Sequence, residues 1–188
     1  MKNEQKAAPL IFSMVKNPRL TGSVVPSSKY LSYAMAQGAQ GAEQIIELGA
    51  GTGPITRVLR ELYPDTPFVC VEYQKELAAE LRQSFAGLDV RQETAKAVLD
   101  AVAASQEKIA IISALPFRSL PENIRDETVA SIVALFGRCP NTKLIQFTYG
   151  LIAPFDLPQE VSGPISWRKI DKVWRNFPPA TVWELGYQ

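Results

Sequence analysis

Short apolar runs alternate with more polar stretches along most of this chain, and the alternation sets out its elements. Runs at about 44–48, 67–72, 88–91, 108–113 and 143–149 are predicted as strands, with helices expected over 54–62, 74–85, 94 to about 104 and roughly 122–137. Strand and helix in alternation predict a mainly parallel α/β sheet with right-handed crossovers. Two further extended stretches, Ser166–Val173 and Thr181–Glu184, are joined by Arg175-Asn176-Phe177-Pro178-Pro179. No helix fits between them, so they are expected to close a seven-stranded sheet as an antiparallel hairpin. Near the start, Leu10, Ile11, Met14 and Val15 recur at helical spacing with Phe12 beside them. This predicts a short amphipathic helix ending near Pro18. A turn-rich loop, Thr21 to Tyr30, follows, with Ser27 or Ser28 placed to cap a helix over Lys29–Gln37.

Composition narrows the chemistry. At 188 residues the chain suits one domain, 39–188, preceded by a helical segment, 1–38. Net charge is +1, which excludes a strong global field for nucleic acid and leaves only local patches. There is no histidine, which removes the commonest general base and any Ser-His-Asp triad. The two cysteines, Cys70 and Cys139, give neither a zinc spacing nor a disulfide framework, so no metal is expected and a reducing compartment fits. No apolar run reaches the roughly 18 residues a membrane span requires, and the N-terminus lacks a signal-peptide core, so a cytoplasmic protein is expected. Charge is uneven: Lys2, Lys6, Lys16, Arg19 and Lys29 stand against Glu4 in the first thirty residues. The first helix could therefore pack on the domain or lie on anionic lipid at the inner face of the cell membrane.

The densest chemical signal is Glu47-Leu48-Gly49-Ala50-Gly51-Thr52-Gly53-Pro54. An apolar run ends in an acid, a glycine-spaced turn follows, and a second acid, Glu72, closes the next apolar run. That pattern suggests a nucleotide-like ligand across the carboxyl ends of two neighbouring strands, with its ribose on Glu72. The glycine spacing is one residue shorter than the pyrophosphate-binding G-x-G-x-x-G, and Glu47 would repel a pyrophosphate but tolerate a cation.

E-x-G-x-G-x-G followed by an acid at the end of the next strand resembles motifs I and II of class I S-adenosylmethionine methyltransferases. That resemblance implies a Rossmann-like fold and S-adenosylmethionine as cofactor. It draws the cofactor contacts from Ser27, Ser28, Glu47, Gly49, Ala50, Gly51, Gly53, Glu72, Tyr73, Glu93, Thr94 and Ser113. The family offers an acid to the adenine amino group after strand 3, where this chain has Glu93 and Thr94; a helix cap accounts for Thr94 equally well.

After strand 4, Ser113-Ala114-Leu115-Pro116-Phe117 resembles the N-x-P-Y/F motif of amino-group methyltransferases, including rRNA adenine dimethyltransferases. There an Asn and a backbone carbonyl accept from the target amine and the aromatic ring stacks on the base. Ala114 stands where the Asn would be. An exocyclic base nitrogen needs that Asn; an alkyl amine does not.

Asn17-Pro18-Arg19-Leu20-Thr21-Gly22-Ser23-Val24-Val25-Pro26-Ser27-Ser28 resembles the N-terminal signature of bacterial phospholipid N-methyltransferases. The Pro54-x-Thr56 tail of the glycine turn, Ser113-x-Leu115-Pro116 and Asn176-x-Pro178-Pro179-Ala180-x-Val182-Trp183 match the same family. The resemblance implies methylation of phosphatidylethanolamine and its partly methylated forms, or of another amine lipid such as ornithine lipid, by an enzyme docked on anionic membrane through its N-terminal helix. Ser113, Leu115, Pro116 and Tyr149 are the expected catalytic group. Lys29, Tyr30, Arg118 and Arg168 are candidates for the lipid phosphate.

The chemistry is consistent with that reading. A lipid ammonium titrating like lysine leaves on the order of one molecule in a thousand neutral at pH 7. Desolvation and a nearby sulfonium lower that pKa, so no strong base is required. Two other stretches carry expectations. Alternation along the penultimate strand puts Arg168 and Lys172 on one face and Lys169 and Asp171 on the other. Leu151-Ile152-Ala153-Pro154-Phe155 reads as a lid, an acyl-chain contact or core. Two rival functions stay open: an adenine N6-methyltransferase on RNA, disfavoured by Ala114 and the weak charge, and a catalytically silent cofactor-fold module binding a membrane or partner, disfavoured by the two acids.

Overall fold

The structure is a computed structural model and describes residues 28–159 and 164–187. The expected amphipathic helix near residues 10–15, and Ser27, lie outside the described residues. Helices are α1 (Lys29–Gln37), α2 (Pro54–Leu62), α3 (Lys75–Ser84), α4 (Ala95–Asp100) and α5 (Glu122–Arg138). Strands are β1 (Gln44–Leu48), β2 (Phe68–Val71), β3 (Asp89–Arg91), β4 (Ile109–Ser113), β5 (Lys143–Thr148), β6 (Ile165–Val173) and β7 (Ala180–Tyr187). They form a seven-stranded sheet in the order β3-β2-β1-β4-β5-β7-β6. β3, β2, β1, β4 and β5 run parallel, and β7 is antiparallel to both β5 and β6.

Each inner parallel strand is buried on both faces because helices cover both. On one face Ile45, Cys70, Ala110, Ile112 and Ile145 pack under α1, α2 and α3, through residues such as Leu31, Met35, Leu59 and Leu81. On the other, Ile46, Leu48, Val71, Ile109, Ile111 and Leu144 pack under α4 and α5, through Leu99, Ile132, Leu135 and Phe136. A run such as Ile45-Ile46-Glu47-Leu48 therefore feeds two cores in turn. Truncating one of these buried leucines to alanine costs about 2–5 kcal/mol in such settings.

The sequence expectations hold to within a residue or two for most elements, and two differ for definite reasons. The helix expected to reach residue 104 stops at Asp100. The Leu99 carbonyl accepts from the Arg138 guanidinium at 2.9 Å, and the Ala103 carbonyl accepts from the Cys139 thiol at 3.4 Å. The chain is thus bonded to the end of α5 instead of continuing its own helix. The second difference is a bulge at Ile170: Arg168 pairs with Glu184 and Lys169 with Trp183, but Asp171 pairs with Val182 and Lys172 with Thr181. One extra residue inverts the alternation. Lys172 therefore shares the face of Lys169, not of Arg168, correcting the assignment made from strict alternation.

Candidate functional site

At the end of β1 the chain makes a turn in which Gly49, Gly51 and Gly53 all take positive φ, at 74°, 60° and 81°. These are left-handed conformations that side chains disfavour. A Cβ at Gly51 would meet nothing within 4 Å, so the turn is open above that residue, whereas one at Gly53 would strike Phe85 at 2.7 Å. Glycine is required at 53 by packing as well as by conformation. Pro54 occupies the first turn of α2, where its missing N–H is no loss.

Glu72, buried at the end of β2, reaches across to this turn. One carboxylate oxygen accepts from the Gly51 N–H at 2.9 Å, and the other accepts from the Gln74 N–H at 2.8 Å. The second acid thus holds the glycine turn in shape and keeps lone pairs for a ligand. Tyr73 beside it is exposed.

Glu47 lies beneath the turn with no exposure. It accepts from the Thr56 hydroxyl at 2.7 Å, while its other oxygen has no hydrogen-bond partner. Burial raises its pKa from the ordinary 4.5 to about 7, against the opposing hydrogen bonds from Thr56 and Cys70. Burial also pushes the Cys70 thiol well up, so it is inert packing. A buried carboxyl with one oxygen left without a partner, under an open glycine turn, suits a cationic ligand above it and is unsuited to a phosphate.

The loop after β4 closes over the same edge. The Ala114 N–H donates to the Leu48 carbonyl at 2.9 Å, and the Ser113 hydroxyl accepts from the Leu115 N–H at 3.3 Å. A Cβ on Gly49 would meet Leu115 Cδ2 at 2.8 Å, so the two loops touch. The Leu115 carbonyl accepts from the Phe117 N–H at 2.9 Å and from the Gln146 amide at 3.1 Å. Pro116 is half-buried beside it. Phe117 is buried against Phe155, their ring centroids 4.8 Å apart, and so is turned away from any base at the surface.

The remaining candidates divide. Ser28 caps α1 through its hydroxyl, which accepts from the Leu31 N–H at 3.3 Å. Thr94 likewise caps α4, accepting from the Ala97 N–H at 3.1 Å, while Glu93 beside it is exposed. Tyr149 follows β5 with its ring 5.5 Å from that of Phe147; burial raises its pKa and the Asn176 side chain lowers it. Lys29 and Tyr30 open α1 near the hairpin. Arg168 is not brought to this edge; it is ion-paired to Glu184 at 2.5 Å on the outer strand. Arg118 donates to the Ala153 carbonyl at 3.1 Å, the Thr181 hydroxyl to the Gly150 carbonyl at 2.6 Å, and the Thr148 hydroxyl to the Ile152 carbonyl at 3.1 Å. The 149–153 loop is therefore pinned in place, and its Phe155 end is core.

Two residues were not anticipated as organisers of this edge. Asn176 is buried in the hairpin turn; its carbonyl oxygen accepts from the Ser28 N–H at 3.1 Å and its amide donates to the Pro178 carbonyl at 2.8 Å. Gln146 fixes the Leu115 carbonyl. A polar residue inside an apolar strand was the available signal for Gln146; Asn176 belongs to the Asn176-x-Pro178-Pro179 match, but nothing there pointed to Ser28 as its partner. Among the described residues no three potential metal-ligating side chains gather, and no helix is long and apolar enough to cross a membrane.

Comparison with known proteins supports the same fold. No family model matches the chain. It is 31% identical over 121 residues to an ornithine lipid N-methyltransferase of Singulisphaera acidiphila, covering 58% of this chain and 62% of that protein. The match thus spans less than two thirds of the relative's length. Among solved structures, the chain resembles a 1,6-didemethyltoxoflavin-N1-methyltransferase of Burkholderia thailandensis with bound S-adenosylhomocysteine. The TM-score is 0.64 at 13% identity, over 98% of this chain and 89% of that one. It also resembles an S-adenosylhomocysteine-bound methyltransferase of Podospora anserina, with a TM-score of 0.59 at 16% identity over 99% and 97% of the two chains. The fold is shared with these two methyltransferases, and the sequence is similar to that of a bacterial lipid N-methyltransferase.

Proposed function

We propose that this protein is an S-adenosylmethionine-dependent N-methyltransferase acting on the amine headgroup of a membrane lipid: phosphatidylethanolamine, its partly methylated forms, or an ornithine lipid. It would work from the cytoplasmic side, at the inner face of the cell membrane. The observation that carries this reading is the Glu72 carboxylate bonded to the Gly51 N–H, beside a buried Glu47 carboxyl with one oxygen lacking a partner. An acid facing an open glycine turn suits a ribose, and a second negative group below suits a positively charged ligand. S-adenosylmethionine has both parts and, when bound, supplies an activated methyl group. Gly49, Ala50, Gly51 and Gly53 would accept its methionine portion along the open backbone.

The chain's own share is binding, positioning and desolvation. Ser113, Leu115, Pro116 and Tyr149 would frame the lipid amine. Ala114 offers no side-chain acceptor and Phe117 is in the core, so the loop lacks what a base amine requires and suits an alkyl amine, whose neutral form has a localised lone pair. Holding that amine out of water lowers its pKa and removes the need for a strong base.

Labelled S-adenosylmethionine incubated with liposomes of phosphatidylethanolamine, liposomes of ornithine lipid, and structured RNA distinguishes the possibilities. Label should enter an amine lipid. Label in RNA alone, or tight cofactor binding with no labelled lipid, would overturn the proposal.

A further inference from the structure

The hairpin turn between β6 and β7 projects past the carboxyl ends of the parallel strands, since Val173 pairs with Ala180 and Thr181 with Thr148, the last residue of β5. At its tip Trp174 is 69% and Phe177 81% exposed. The loop after β5 reaches the same edge with Leu151 at 62% and Ile152 at 65%. These side chains are not at loose ends: Thr181 and Thr148 bond to Gly150 and Ile152, the Trp183 indole donates to the Thr148 hydroxyl at 2.9 Å, and Asn176 ties the turn to the start of α1. The backbone holds large apolar groups in water beside the mouth of the candidate site, an arrangement that marks an interaction surface.

The flanking charge identifies the partner. Arg175 lies over the Tyr30 ring at 5.2 Å, Lys29 over the same ring at 5.4 Å, and Lys172 over Trp174 at 3.8 Å. Lys29, Tyr30, Trp174 and Arg175, with Asp171, border a hollow of about 630 Å³ between α1 and β6, and Lys172 stands outside it on the other face of the strand. The Asp171 carboxylate already accepts from the Lys172 N–H at 2.6 Å, and Glu61 nearby accepts from the Tyr33 hydroxyl at 3.0 Å. Cations and aromatic rings alone would serve RNA as well, through phosphate contacts and stacking. Aliphatic Leu151 and Ile152 on the same edge would not. Cations beside aromatic and aliphatic side chains at a projecting edge match the headgroup layer of an anionic bilayer, where Trp and Tyr sit at the interface and Lys and Arg meet phosphates.

We infer that this edge is a membrane-docking element built into the folded domain from the β6–β7 hairpin and the loop after β5. The hairpin tip and the 149–152 loop would enter the headgroup layer, Lys29, Lys172 and Arg175 would meet anionic lipid, and the site mouth would open directly onto the bilayer. The inference rests on the proposed lipid substrate for its purpose, but binding can be measured without cofactor.

The test uses the full chain and sedimentation with vesicles of phosphatidylglycerol and phosphatidylcholine, against phosphatidylcholine alone. Lys172→Gln with Arg175→Gln should lower partitioning onto anionic vesicles about 25-fold at low salt, about five-fold per cation, and little at high salt. Trp174→Ala with Phe177→Ala should lower it at both salt concentrations. Circular dichroism and S-adenosylhomocysteine affinity should be unchanged in both variants, as should methylation of lipid dispersed in detergent micelles. Unchanged vesicle binding by both variants would overturn the inference. So would equal wild-type binding to both vesicle types, greater loss of RNA binding than of vesicle binding, or self-association in the absence of lipid that the variants abolish. Vesicle binding that depends on these residues without lipid methylation would sink the proposed function alone. Micellar methylation with unaltered vesicle binding in the variants would sink this inference alone.

Discussion

Replacing Glu47 by glutamine isolates the cost of burying an acid beneath the glycine turn. The amide keeps the shape of the side chain and can still accept from Thr56, but it cannot ionise. The native carboxyl has its pKa raised by burial from 4.5 to about 7, and one of its oxygens lacks a partner. A group whose folded pKa lies above its unfolded value makes the native state bind more protons, so wild-type stability falls as pH rises from about 4.5 to about 7. At about 1.36 kcal/mol per decade of acidity constant, that gap is worth about 3 kcal/mol. Urea denaturation of both proteins from pH 4.5 to 8 reads it directly. The stability of Glu47→Gln relative to wild type should climb by about 3 kcal/mol across pH 4.5–7 and then level off, whatever constant offset the amide introduces. A difference that stays flat with pH would refute the argument, because it would mean that Glu47 never carries a costly charge. The same variant should bind S-adenosylmethionine more weakly, by on the order of 1 kcal/mol, and lose less affinity for S-adenosylhomocysteine, whose sulfur is neutral. A residue that destabilises the empty fold at neutral pH would then be retained for its ligand.

Glu72→Ala removes the acceptor of the Gly51 and Gln74 amides together with the proposed ribose contact, so S-adenosylhomocysteine affinity measured by calorimetry should fall by about 1.5–3 kcal/mol; unchanged affinity would remove Glu72 from the site. Asn176→Ala leaves the Ser28 N–H and the Pro178 carbonyl without their partner and should cost about 1–3 kcal/mol in thermal or urea unfolding, constant from about pH 5 to about pH 8, below the range where Tyr149 titrates. Methylation of an amine lipid should accelerate with pH as the neutral amine becomes available and flatten near the pKa of the bound amine; a rate that declines steadily from pH 6 to 9 would contradict an amine nucleophile.

Local chemistry carried much of this protein into its sequence. The strands and helices are short-range patterns, and a helix over Lys29–Gln37 with a serine cap, or a proline opening α2, follows from a few neighbouring residues. The glycine turn and its two acids were legible for the same reason: a strand, a turn, a helix and the next strand are consecutive, so the spacing from Glu47 to Glu72 already fixes them at one edge of a parallel pair. The terminal hairpin was legible because no helix fits between its two extended stretches, and the family resemblance implied the same. The tertiary structure decided whatever depends on chain segments meeting across long separations. Only packing shows that Glu47 has lost all contact with water and that Phe117 is committed to Phe155. Only the pairing of β6 with β7 shows the bulge at Ile170, because a bulge is defined by the partner strand and leaves no periodic mark of its own. Asn176 ties the hairpin to α1 only by meeting Ser28, 148 residues away along the chain. Spacing can bring an acid to the end of a strand; whether it is charged, paired or buried there depends on the desolvation and hydrogen bonds that every other part of the fold supplies.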